Sequence, residues 1–398
     1  MPVTRKRSVK KSPKKSPKKH STAILLHASS DDPDMQYFSG FRSSDPFVAF
    51  KIGRKKYGVA VPMEFGRMVR ESSFDEVLLA SELREGAIKR FKLANGATPD
   101  QAQTIAHIAK LHGINRFSVG SRFPVGLAFK LQKAGLKLDV APDNALLPER
   151  QIKTESEVEA LKKGNRASAA GFRAVTKTLK ESKIRGDKLI HKGSVLTSER
   201  LQDIIAQATF AEGAIAADTI AAGGDQACDC HEAGHGPIRP NELIVVDIFP
   251  RRVEDGYWGD MTRTFLKGTA SDAQRRLVRT VKRGLDLSFR ATRPGVACGK
   301  LQKEIEDFFA KEGYKTVRDS TEPEGFFHAL GHAIGLEVHE DPVIRRGSKV
   351  RLKQGMVVTL EPGLYYRGLG GVRIEDVVHL VKGGNEKISS APYKWEIA

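Results

Sequence analysis

The stretch IVVDIFPRRVEDGYWGDMTRTF, residues 244–265, decides the fold of the larger part of this chain. It begins with an apolar run that predicts a buried strand carrying Asp247 at its end. Turn-forming residues follow, and the aromatic residues Tyr257 and Trp258 predict a returning strand and hence a β-hairpin. Such a hairpin would bring Asp247 beside Asp260, where two carboxylates repel unless a proton or a cation lies between them. For this pair alone, two strand-end aspartates in separate solvated turns are the favoured interpretation.

Three further stretches combine apolar runs with titratable side chains. They lie at 326–341, 355–366 and 370–380 and carry His328, His332, His339, Glu361 and Glu375. A lone histidine in an apolar run is more often a core residue than a ligand, but three of them interleaved with acids favour a site. Buried acids are rare unless they are paired, hydrogen-bonded or bound to metal. Four carboxylates and one histidine brought together would suit two divalent ions bridged by a shared water.

In order and chemistry these motifs resemble the pita-bread metallopeptidases, the family of aminopeptidase P, prolidase, methionine aminopeptidase and the metal-free creatinase. The resemblance covers roughly the last 240 residues. It implies an α+β fold, in which a pita-bread (creatinase/aminopeptidase) catalytic domain is preceded by a smaller α/β N-terminal domain.

The resemblance also implies a set of five metal ligands, two of which, Asp260 and Glu375, bridge both metals in the family. The five positions are Asp247, Asp260, His332, Glu361 and Glu375. Asp247 and Asp260 are thirteen positions apart, slightly more than is usual in the family. An insertion of even length in a hairpin preserves the face that each side chain occupies, so we expect a longer loop and an intact site.

Further roles follow from the same resemblance. Glu361 would accept a proton as well as bind metal, and His328 and His339 would hold the scissile carbonyl and the developing oxyanion. Arg373 matches an arginine that binds substrate or anchors the site, and His231 matches a loop histidine of the substrate pocket. For His328, His339 and Arg373 the alternative role is packing around the site.

A second metal motif is present at 228–235, where His231-Glu232-x-x-His235 matches the zincin signature. That motif works when a helix places both histidines on one face. Glycines before, inside and after the motif make a helix improbable here. A zincin site or a Cys/His structural zinc site is therefore disfavoured, and His235 becomes a second candidate for the substrate pocket.

The ligand set points to the metal and the reaction. Carboxylate oxygens with one imidazole suit two divalent ions per chain, Mn²⁺ or Co²⁺ first and Zn²⁺ as a further candidate. A water bridging such ions is acidified enough to attack a peptide bond. A separate N-terminal domain favours the aminopeptidase P and prolidase branch. The predicted function is hydrolysis of the bond between an N-terminal residue and proline, as an Xaa-Pro aminopeptidase or Xaa-Pro dipeptidase.

The alternative from another class is a non-catalytic pita-bread scaffold that binds nucleic acid or protein through a basic tail. The first twenty residues hold nine Lys/Arg and no acid, and removing them lowers the formal net charge from +18 to +9 (18 − 9 = 9). Such a segment cannot bury a core. Its Ser-Pro-Lys-Lys units resemble linker-histone tails. It would serve either as a solubilising tail or as a weak, non-specific contact to nucleic acid.

With 398 residues and domains of about 100–200 residues, the chain should hold two domains and a tail. We expect a disordered basic tail at 1–21, an α/β domain at 22–150 and the catalytic domain at 151–398. In the α/β domain the acids Asp31, Asp32 and Asp34 are assigned to a loop, and helices are expected at about 99–112 and 125–133. In the catalytic domain helices are expected at about 155–180, 198–210, 272–293 and 300–312, the first and third opened by capping boxes.

No apolar run approaches the roughly 18 residues of a membrane span. The three cysteines do not make a disulfide framework, which is typical of a reducing compartment. We therefore expect a cytoplasmic protein with no membrane contact. From the family resemblance we also expect a homodimer whose N-terminal domain helps to form the dimer and the entrance to the site.

Overall fold

The computed structural model of this chain describes residues 23–94, 97–142 and 146–398. The basic tail predicted at 1–21 lies outside the described residues. The chain divides into two compact units between Leu147 and Pro148.

The first unit is built on one six-stranded mixed sheet. Its strands are β1 (Ala23–Ala28), β2 (Phe47–Ile52), β3 (Lys55–Ala60), β4 (Glu76–Leu79), β5 (Arg116–Val119) and β6 (Lys137–Val140). The spatial order is β4-β3-β2-β1-β5-β6, with antiparallel pairing among β1, β2 and β3 and parallel pairing elsewhere. Because side chains alternate along a strand, Leu25 and Leu26 of β1 pack into two different apolar clusters.

Five helices accompany this sheet. They are α1 (Pro33–Ser39), α2 (Pro62–Glu71), α3 (Ala80–Phe91), α4 (Gln101–Leu111) and α5 (Val125–Lys133). The predicted helices at 99–112 and 125–133 are confirmed as α4 and α5. The loop assignment is confirmed for Asp31 and Asp32, which lie in the turn before α1, and is wrong for Asp34. Asp32 caps α1 by accepting a hydrogen bond from the Met35 amide at 2.9 Å, and Asp34 lies in the first helical turn. A helix of two turns is too short to show a hydrophobic period.

The second unit contains four long helices, namely α6 (Glu155–Glu181), α7 (Ser198–Ala211), α8 (Asp272–Ala291) and α9 (Cys298–Lys311). Both predicted capping boxes are confirmed, with Thr154 and Glu157 bonding reciprocally at α6 and Ser271 and Gln274 at α8. Helix α9 begins two residues before the predicted start at Lys300. Short 3₁₀ turns cover Pro148–Gln151 and Gly224–Cys228.

The strands of the second unit form two larger sheets and three smaller ones. They are β7 (Lys183–Arg185), β8 (Lys188–His191), β9 (Ser194–Val195), β10 (Ala214–Ile215), β11 (Ile220–Gly223), β12 (Ile244–Ile248), β13 (Arg251–Arg252), β14 (Met261–Lys267), β15 (Gly331–Ala333), β16 (Glu340–Ile344), β17 (Val357–Leu360), β18 (Gly363–Tyr366), β19 (Gly370–Arg373), β20 (Asp376–Val381), β21 (Gly384–Lys387) and β22 (Glu396–Ile397). One larger sheet has the order β11-β12-β14-β22 and the other β16-β15-β17-β20-β21. The small sheets pair β18 with β19, β10 with β13, and β8 with both β7 and β9.

The hairpin predicted from the opening stretch is confirmed as the antiparallel pair β12 and β14, in which Asp247 lies opposite Thr262. Its returning strand begins at Met261, so the prediction that Tyr257 and Trp258 belong to this strand is wrong. Both rings are held by tertiary contacts. The Tyr257 hydroxyl donates to Glu157 at 2.8 Å and the Trp258 indole donates to the Leu336 carbonyl at 3.0 Å. Packing of this kind overrides the strand propensity of aromatic residues.

The core of the second unit determines which way Asp247 points. Ile244, Val246 and Ile248 of β12 pack in one cluster with side chains of α6 and α7. Val245 belongs to a different cluster. Because residues of a strand alternate between faces, Asp247 lies on the face of Val245, opposite to the helices. Helices α8 and α9 cover the other large cluster, which includes β17 and β20. Among the described residues, no helix is both long and apolar enough to cross a membrane.

Candidate metal centre

A cavity of about 950 Å³ opens in the second unit. Nine of the ten side chains that the sequence singled out for the site line it, namely His231, Asp247, Asp260, His328, His332, His339, Glu361, Arg373 and Glu375. The first and the last of these residues are far apart in the sequence, so the tertiary fold brings them together.

Asp260 stands immediately before β14, where helix α6 approaches the chain closely. A Cβ atom added to Gly164 of α6 would lie only 2.6 Å from the Gly259 nitrogen. This contact lets the Asn165 side chain accept a hydrogen bond from the Asp260 amide at 3.0 Å. The Asp260 side chain is buried. Helix α6 therefore holds the backbone that presents this carboxylate.

Glu361 and Glu375 both stand at interruptions between strands. Glu361 follows β17, and its amide donates to the Leu330 carbonyl at 2.8 Å. Glu375 separates β19 from β20, and its amide donates to the Thr262 carbonyl at 3.0 Å. Each carboxylate is thus tied through its own backbone to a neighbouring segment of the site.

The His332 ring has the tautomer that a metal ligand requires. Its Nδ1 lies 3.2 Å from the Ala333 carbonyl, which can only accept, so Nδ1 carries the proton. Its Nε2 lies 3.5 Å from a carboxylate oxygen of Asp260 and 3.5 Å from one of Glu361. Burial, with a smaller effect of His339, lowers the pKa of His332 to about 3. A neutral nitrogen lone pair therefore faces two carboxyl groups.

Arg373 compensates only part of the negative charge of the carboxyl groups around this lone pair. Burial, together with the charges of Asp247 and Glu361, raises the pKa of Asp260. Burial and the neighbouring Asp260 raise the pKa of Glu375. Burial raises the pKa of Glu361 to about 8, although Arg373 opposes this shift. Crowded acids with pKa values raised by burial and by like charges are stabilised when a cation joins them.

Two more observations show that the residues present fit a divalent cation. Ligand atoms of Asp260, His332 and Glu375 all lie within 4.8 Å of one another. The Asp247 Oδ1 atom is buried and has no hydrogen-bond partner among the described residues. Carboxylate oxygens with one imidazole nitrogen form a donor set typical of Mn²⁺, Co²⁺ or Zn²⁺ sites.

Arg373 anchors the centre. Its guanidinium donates to Asp247 at 2.8 Å, to the Thr262 hydroxyl at 3.2 Å and to the Tyr365 hydroxyl at 3.0 Å. These bonds occupy all three guanidinium nitrogens, and the side chain is buried. Of the two roles expected from the sequence, substrate binding or anchoring, this geometry favours anchoring.

His328 has protein partners on both ring nitrogens. Nδ1 donates to the Ala329 carbonyl at 2.7 Å, and Nε2 therefore accepts from the Tyr365 hydroxyl at 3.0 Å. Burial, with the charge of Arg373, lowers the pKa of His328 to about 3, so the ring is neutral. Tyr365 thus links His328 to Arg373.

His339 and His231 are exposed and line the open part of the cavity. The His339 ring packs edge-on against His332, with ring centroids 4.4 Å apart. His235 is 72% exposed and is absent from the described cavity lining. The segment at 228–235 is the end of a 3₁₀ turn and a loop. Without a helix, the zincin arrangement is not formed, as the glycines predicted.

Three side chains that support the site were not predicted from the sequence, namely Thr262, Tyr365 and Asn165. The Thr262 hydroxyl donates to Glu375 at 2.9 Å. Its position two residues after Asp260 could have revealed it, because residues i and i+2 of a strand share a face. Tyr365 and Asn165 carried no such signal, since they reach the site only through tertiary contacts.

Arg263 forms a second support behind the acids. Its guanidinium donates to the carbonyls of Thr262 at 2.9 Å and Glu375 at 2.6 Å, and to the Asp376 carboxylate at 3.0 Å. Arg263 and Asp376 are both buried. This ion pair joins β14 to β20, the strands that begin directly after Asp260 and Glu375, and so fixes the distance between these two acids.

Comparisons with known proteins agree with this geometry. The model of metallopeptidase family M24 matches residues 159–382. The chain is similar to the Xaa-Pro dipeptidase of Lactobacillus delbrueckii subsp. lactis, with 31% identity over 310 residues, 76% of this chain and 73% of that protein. It is also similar to the Xaa-Pro dipeptidase of Pyrococcus horikoshii, with 28% identity over 70% of this chain and 74% of that protein.

Solved structures share the fold. The prolidase from Pyrococcus furiosus superposes with a TM-score of 0.75 at 22% identity, covering 94% of this chain and 97% of that one. The X-Pro aminopeptidase from Thermotoga maritima superposes with a TM-score of 0.77 at 24% identity, covering 95% of this chain and 98% of that one. These structures, both of the pita-bread class, confirm the predicted fold class.

Proposed function

Since this chain belongs to the M24 family of metallopeptidases, we propose that it hydrolyses the peptide bond between an N-terminal residue and proline, as an Xaa-Pro aminopeptidase or Xaa-Pro dipeptidase. The observation that carries this proposal is the cavity in which a neutral His332 nitrogen and a group of buried acids face one another. The relatives named above as Xaa-Pro dipeptidases support the choice of substrate.

In this proposal the centre binds two divalent ions, Mn²⁺ or Co²⁺ first and Zn²⁺ as a further candidate. Asp247, Asp260, His332, Glu361 and Glu375 would hold these ions. When bound, such ions would acidify a water molecule and polarise the peptide carbonyl. Catalysis belongs to the domain expected at 151–398, and the α/β domain expected at 22–150 supplies no ligand.

Glu361 is assigned the proton transfer. Its pKa of about 8 in the metal-free site shows how strongly its surroundings disfavour the charge. Its side chain remains 17% exposed toward the cavity, so a water molecule can reach it. A carboxylate in this position takes a proton from the attacking water and returns it to the leaving nitrogen.

His339 and His328 are assigned to the carbonyl oxygen and its developing negative charge. His339 is exposed to the cavity and can donate a hydrogen bond directly. His328 can do so only after its Nε2 atom gains a proton and the Tyr365 hydroxyl, which donates to that atom, turns away. His231 lines the same cavity and is assigned to substrate binding, while Arg373 keeps Asp247 in place.

The cavity walls suit a short peptide that contains proline. An amide to proline has no N–H, so an apolar wall is an appropriate neighbour for the ring, and Phe327 and Val338 provide one. Asp203 and Asp218 also line the cavity and are exposed. Their negative charge would attract the positively charged ammonium group of a peptide's free N-terminus.

The test is hydrolysis of Xaa-Pro dipeptides and Xaa-Pro-Yaa tripeptides by the full-length protein, with Mn²⁺ or Co²⁺ added and with chelator. We expect metal-dependent cleavage before proline that Asp260→Ala abolishes. Asp187→Ala is the matched control, because Asp187 is an exposed acid in the β7–β8 turn, and it should retain full activity. The ratio of dipeptide to tripeptide cleavage then identifies the branch.

Absence of cleavage with two metals bound per chain would refute the proline specificity. Absence of both cleavage and metal would favour the alternative, a non-catalytic scaffold, which the relatives named as peptidases do not support. The homodimer, the cytoplasmic location and the weak nucleic-acid contact of residues 1–20 stay predictions. Light scattering, which measures the molecular mass of the protein in solution, tests the homodimer.

A further inference from the structure

Two segments of the second unit carry cations and no acids. Residues 290–300 and 345–353 contain no Asp or Glu and eight Lys/Arg, namely Arg290, Arg293, Lys300, Arg345, Arg346, Lys349, Arg351 and Lys353. All eight are exposed. We call these two segments the basic strip. None of its residues lines the cavity of the candidate metal centre.

Backbone hydrogen bonds place the two segments side by side. The Cys298 amide donates to the Val350 carbonyl at 2.9 Å, and the Leu352 amide donates to the Val296 carbonyl at 2.9 Å. The Gly299 amide donates to the Ser348 carbonyl at 3.0 Å. The segments therefore form one continuous, rigid surface.

The second segment presents its cations on one face. Side chains alternate along an extended chain, and Leu352 is buried, with 1% exposure. Lys349, Arg351 and Lys353 occupy alternate positions of this segment, and all three are exposed to solvent. Arg293 and Lys300 of the paired segment are exposed beside them.

Most of this positive charge is not compensated. Among the described residues, no carboxylate forms an ion pair with Arg290, Arg293, Lys300 or any of the three alternating cations, whereas Arg346 pairs with Glu306 at 2.7 Å. Arg351 donates only to a backbone carbonyl, that of Gly295, at 2.7 Å. Clustered cations without nearby acids raise the local positive potential and attract polyanions.

We propose that the basic strip binds the phosphate backbone of double-stranded DNA without sequence preference. The eight cations match the charge of a phosphate backbone, whose neutralisation supplies the affinity of non-specific DNA binding. Neither segment contains an aromatic residue, so the bases of a single strand would find no stacking partner. Val350 is the one large apolar side chain of the strip that is strongly exposed among the described residues, which is too little to insert into a membrane.

This binding surface goes beyond the proposed peptidase and does not depend on it. The first twenty residues contain nine Lys/Arg and no acid. They would contact phosphates of the same DNA in addition to the basic strip. A peptidase with two polycationic elements would be held near DNA while its site stays open to peptides.

The test measures binding of the full-length protein to a labelled DNA duplex of mixed sequence over a series of salt concentrations. The variant Lys349→Gln/Arg351→Gln/Lys353→Gln removes three cations of the strip. We expect its affinity to fall about tenfold or more, and the slope of log K against log salt to decrease by about 2–3, near one per lost phosphate contact.

The matched control is Lys183→Gln/Arg185→Gln/Lys188→Gln, which removes three exposed cations from the β7–β8 hairpin of another sheet. Its affinity should change less than about twofold. Thermal unfolding and peptide hydrolysis should match the wild type in both variants. Because Arg351 also bonds to Gly295, the pair Lys349→Glu/Lys353→Glu serves as a second strip variant that leaves this bond in place.

Equal losses of affinity in the strip and control variants would overturn the proposal, because net charge alone would then explain the binding. So would an unchanged affinity of the strip variants. Vesicles containing phosphatidylserine form the last arm. If the strip variants lose vesicle binding but keep DNA binding, the partner is an anionic membrane and the proposal is wrong.

Discussion

Thr262 serves two site residues with one hydroxyl, because it donates to Glu375 and accepts from Arg373. Replacing it by valine keeps the shape but leaves a buried carboxylate oxygen and a guanidinium N–H without this partner. Supporting hydrogen bonds of this kind typically contribute 10–100-fold to metal affinity or activity. We therefore expect Thr262→Val to lower kcat/KM for an Xaa-Pro peptide by about this factor.

Thr292→Val is the matched control for this substitution. The Thr292 hydroxyl is also buried, but it has no hydrogen-bond partner among the described residues. Removing an unpaired buried hydroxyl is neutral or stabilising. Thr292→Val should therefore keep full activity and an equal or higher free energy of unfolding. Equal losses of activity in both variants would show that Thr262 acts only through packing.

Glu361 makes the stability of the metal-free protein depend on pH. Its pKa is raised from 4.5 to about 8 in the folded state. Between these values the folded state keeps a proton that the unfolded state has lost, so the free energy of unfolding falls as pH rises. The fall amounts to at most about 1.4 kcal/mol per pH unit for one group. The contribution of Glu361 to stability is fully present below about pH 4.5 and is lost above about pH 8.

Glu361→Gln tests the direction of this pH dependence, because the glutamine amide is neutral at every pH. Urea unfolding in chelator at pH 5.5, 6.5 and 7.5 should show a shallower decline for the variant than for the wild type. Glu232→Gln, at an acid outside the cavity lining, should keep the slope of the wild type. Equal pH dependence of stability in Glu361→Gln and the wild type would contradict the shift of Glu361.

At the scale of elements, the close approach of helix α6 to the chain before β14 positions Asp260. A glycine in a helix is usually less stable than alanine by roughly 0.5–1 kcal/mol. At Gly164 we expect alanine to be the less stable residue, because the added methyl group would lie 2.6 Å from the Gly259 backbone nitrogen. We expect Gly164→Ala to destabilise the second unit by about 1–3 kcal/mol and to lower activity by displacing Asp260.

Gly126 in α5 provides the comparison, because a Cβ there would meet nothing within 4 Å. Gly126→Ala should be neutral or stabilise the first unit by up to about 1 kcal/mol, with unchanged activity. Scanning calorimetry, which separates units that unfold at different temperatures, measures both effects. Equal stabilisation by the two substitutions would mean that α6 can move away from Asp260 at no cost.

At the scale of the whole molecule, metal binding and folding should be linked. A ligand that binds only the folded state at 100 times its Kd stabilises by about 2.7 kcal/mol. We expect Mn²⁺ to raise the unfolding temperature of the wild type and chelator to reverse this. Asp260→Ala should show no rise, whereas Asp187→Ala should behave as the wild type. A rise in Asp260→Ala equal to that of the wild type would locate the binding elsewhere.

The sequence by itself determined the elements whose signals are local. The strand of Asp247, the capping boxes of α6 and α8, and the apolar stripe of α9 all follow from patterns within a few turns or residues. The order of the motifs also predicted the family and the fold class. The short helix α1 was not predicted, because two turns are too few for a hydrophobic period to appear.

The tertiary structure alone decided how the site is supported. Nothing in the sequence near Arg373 indicates that it bonds to Asp247, 126 positions away, or that Tyr365 links it to His328. Nor does local sequence show that Asn165 of α6 holds the Asp260 amide. Such bonds depend on which surfaces meet when helices and sheets pack. A periodic pattern identifies the buried face of an element, but only packing chooses the partner that it meets.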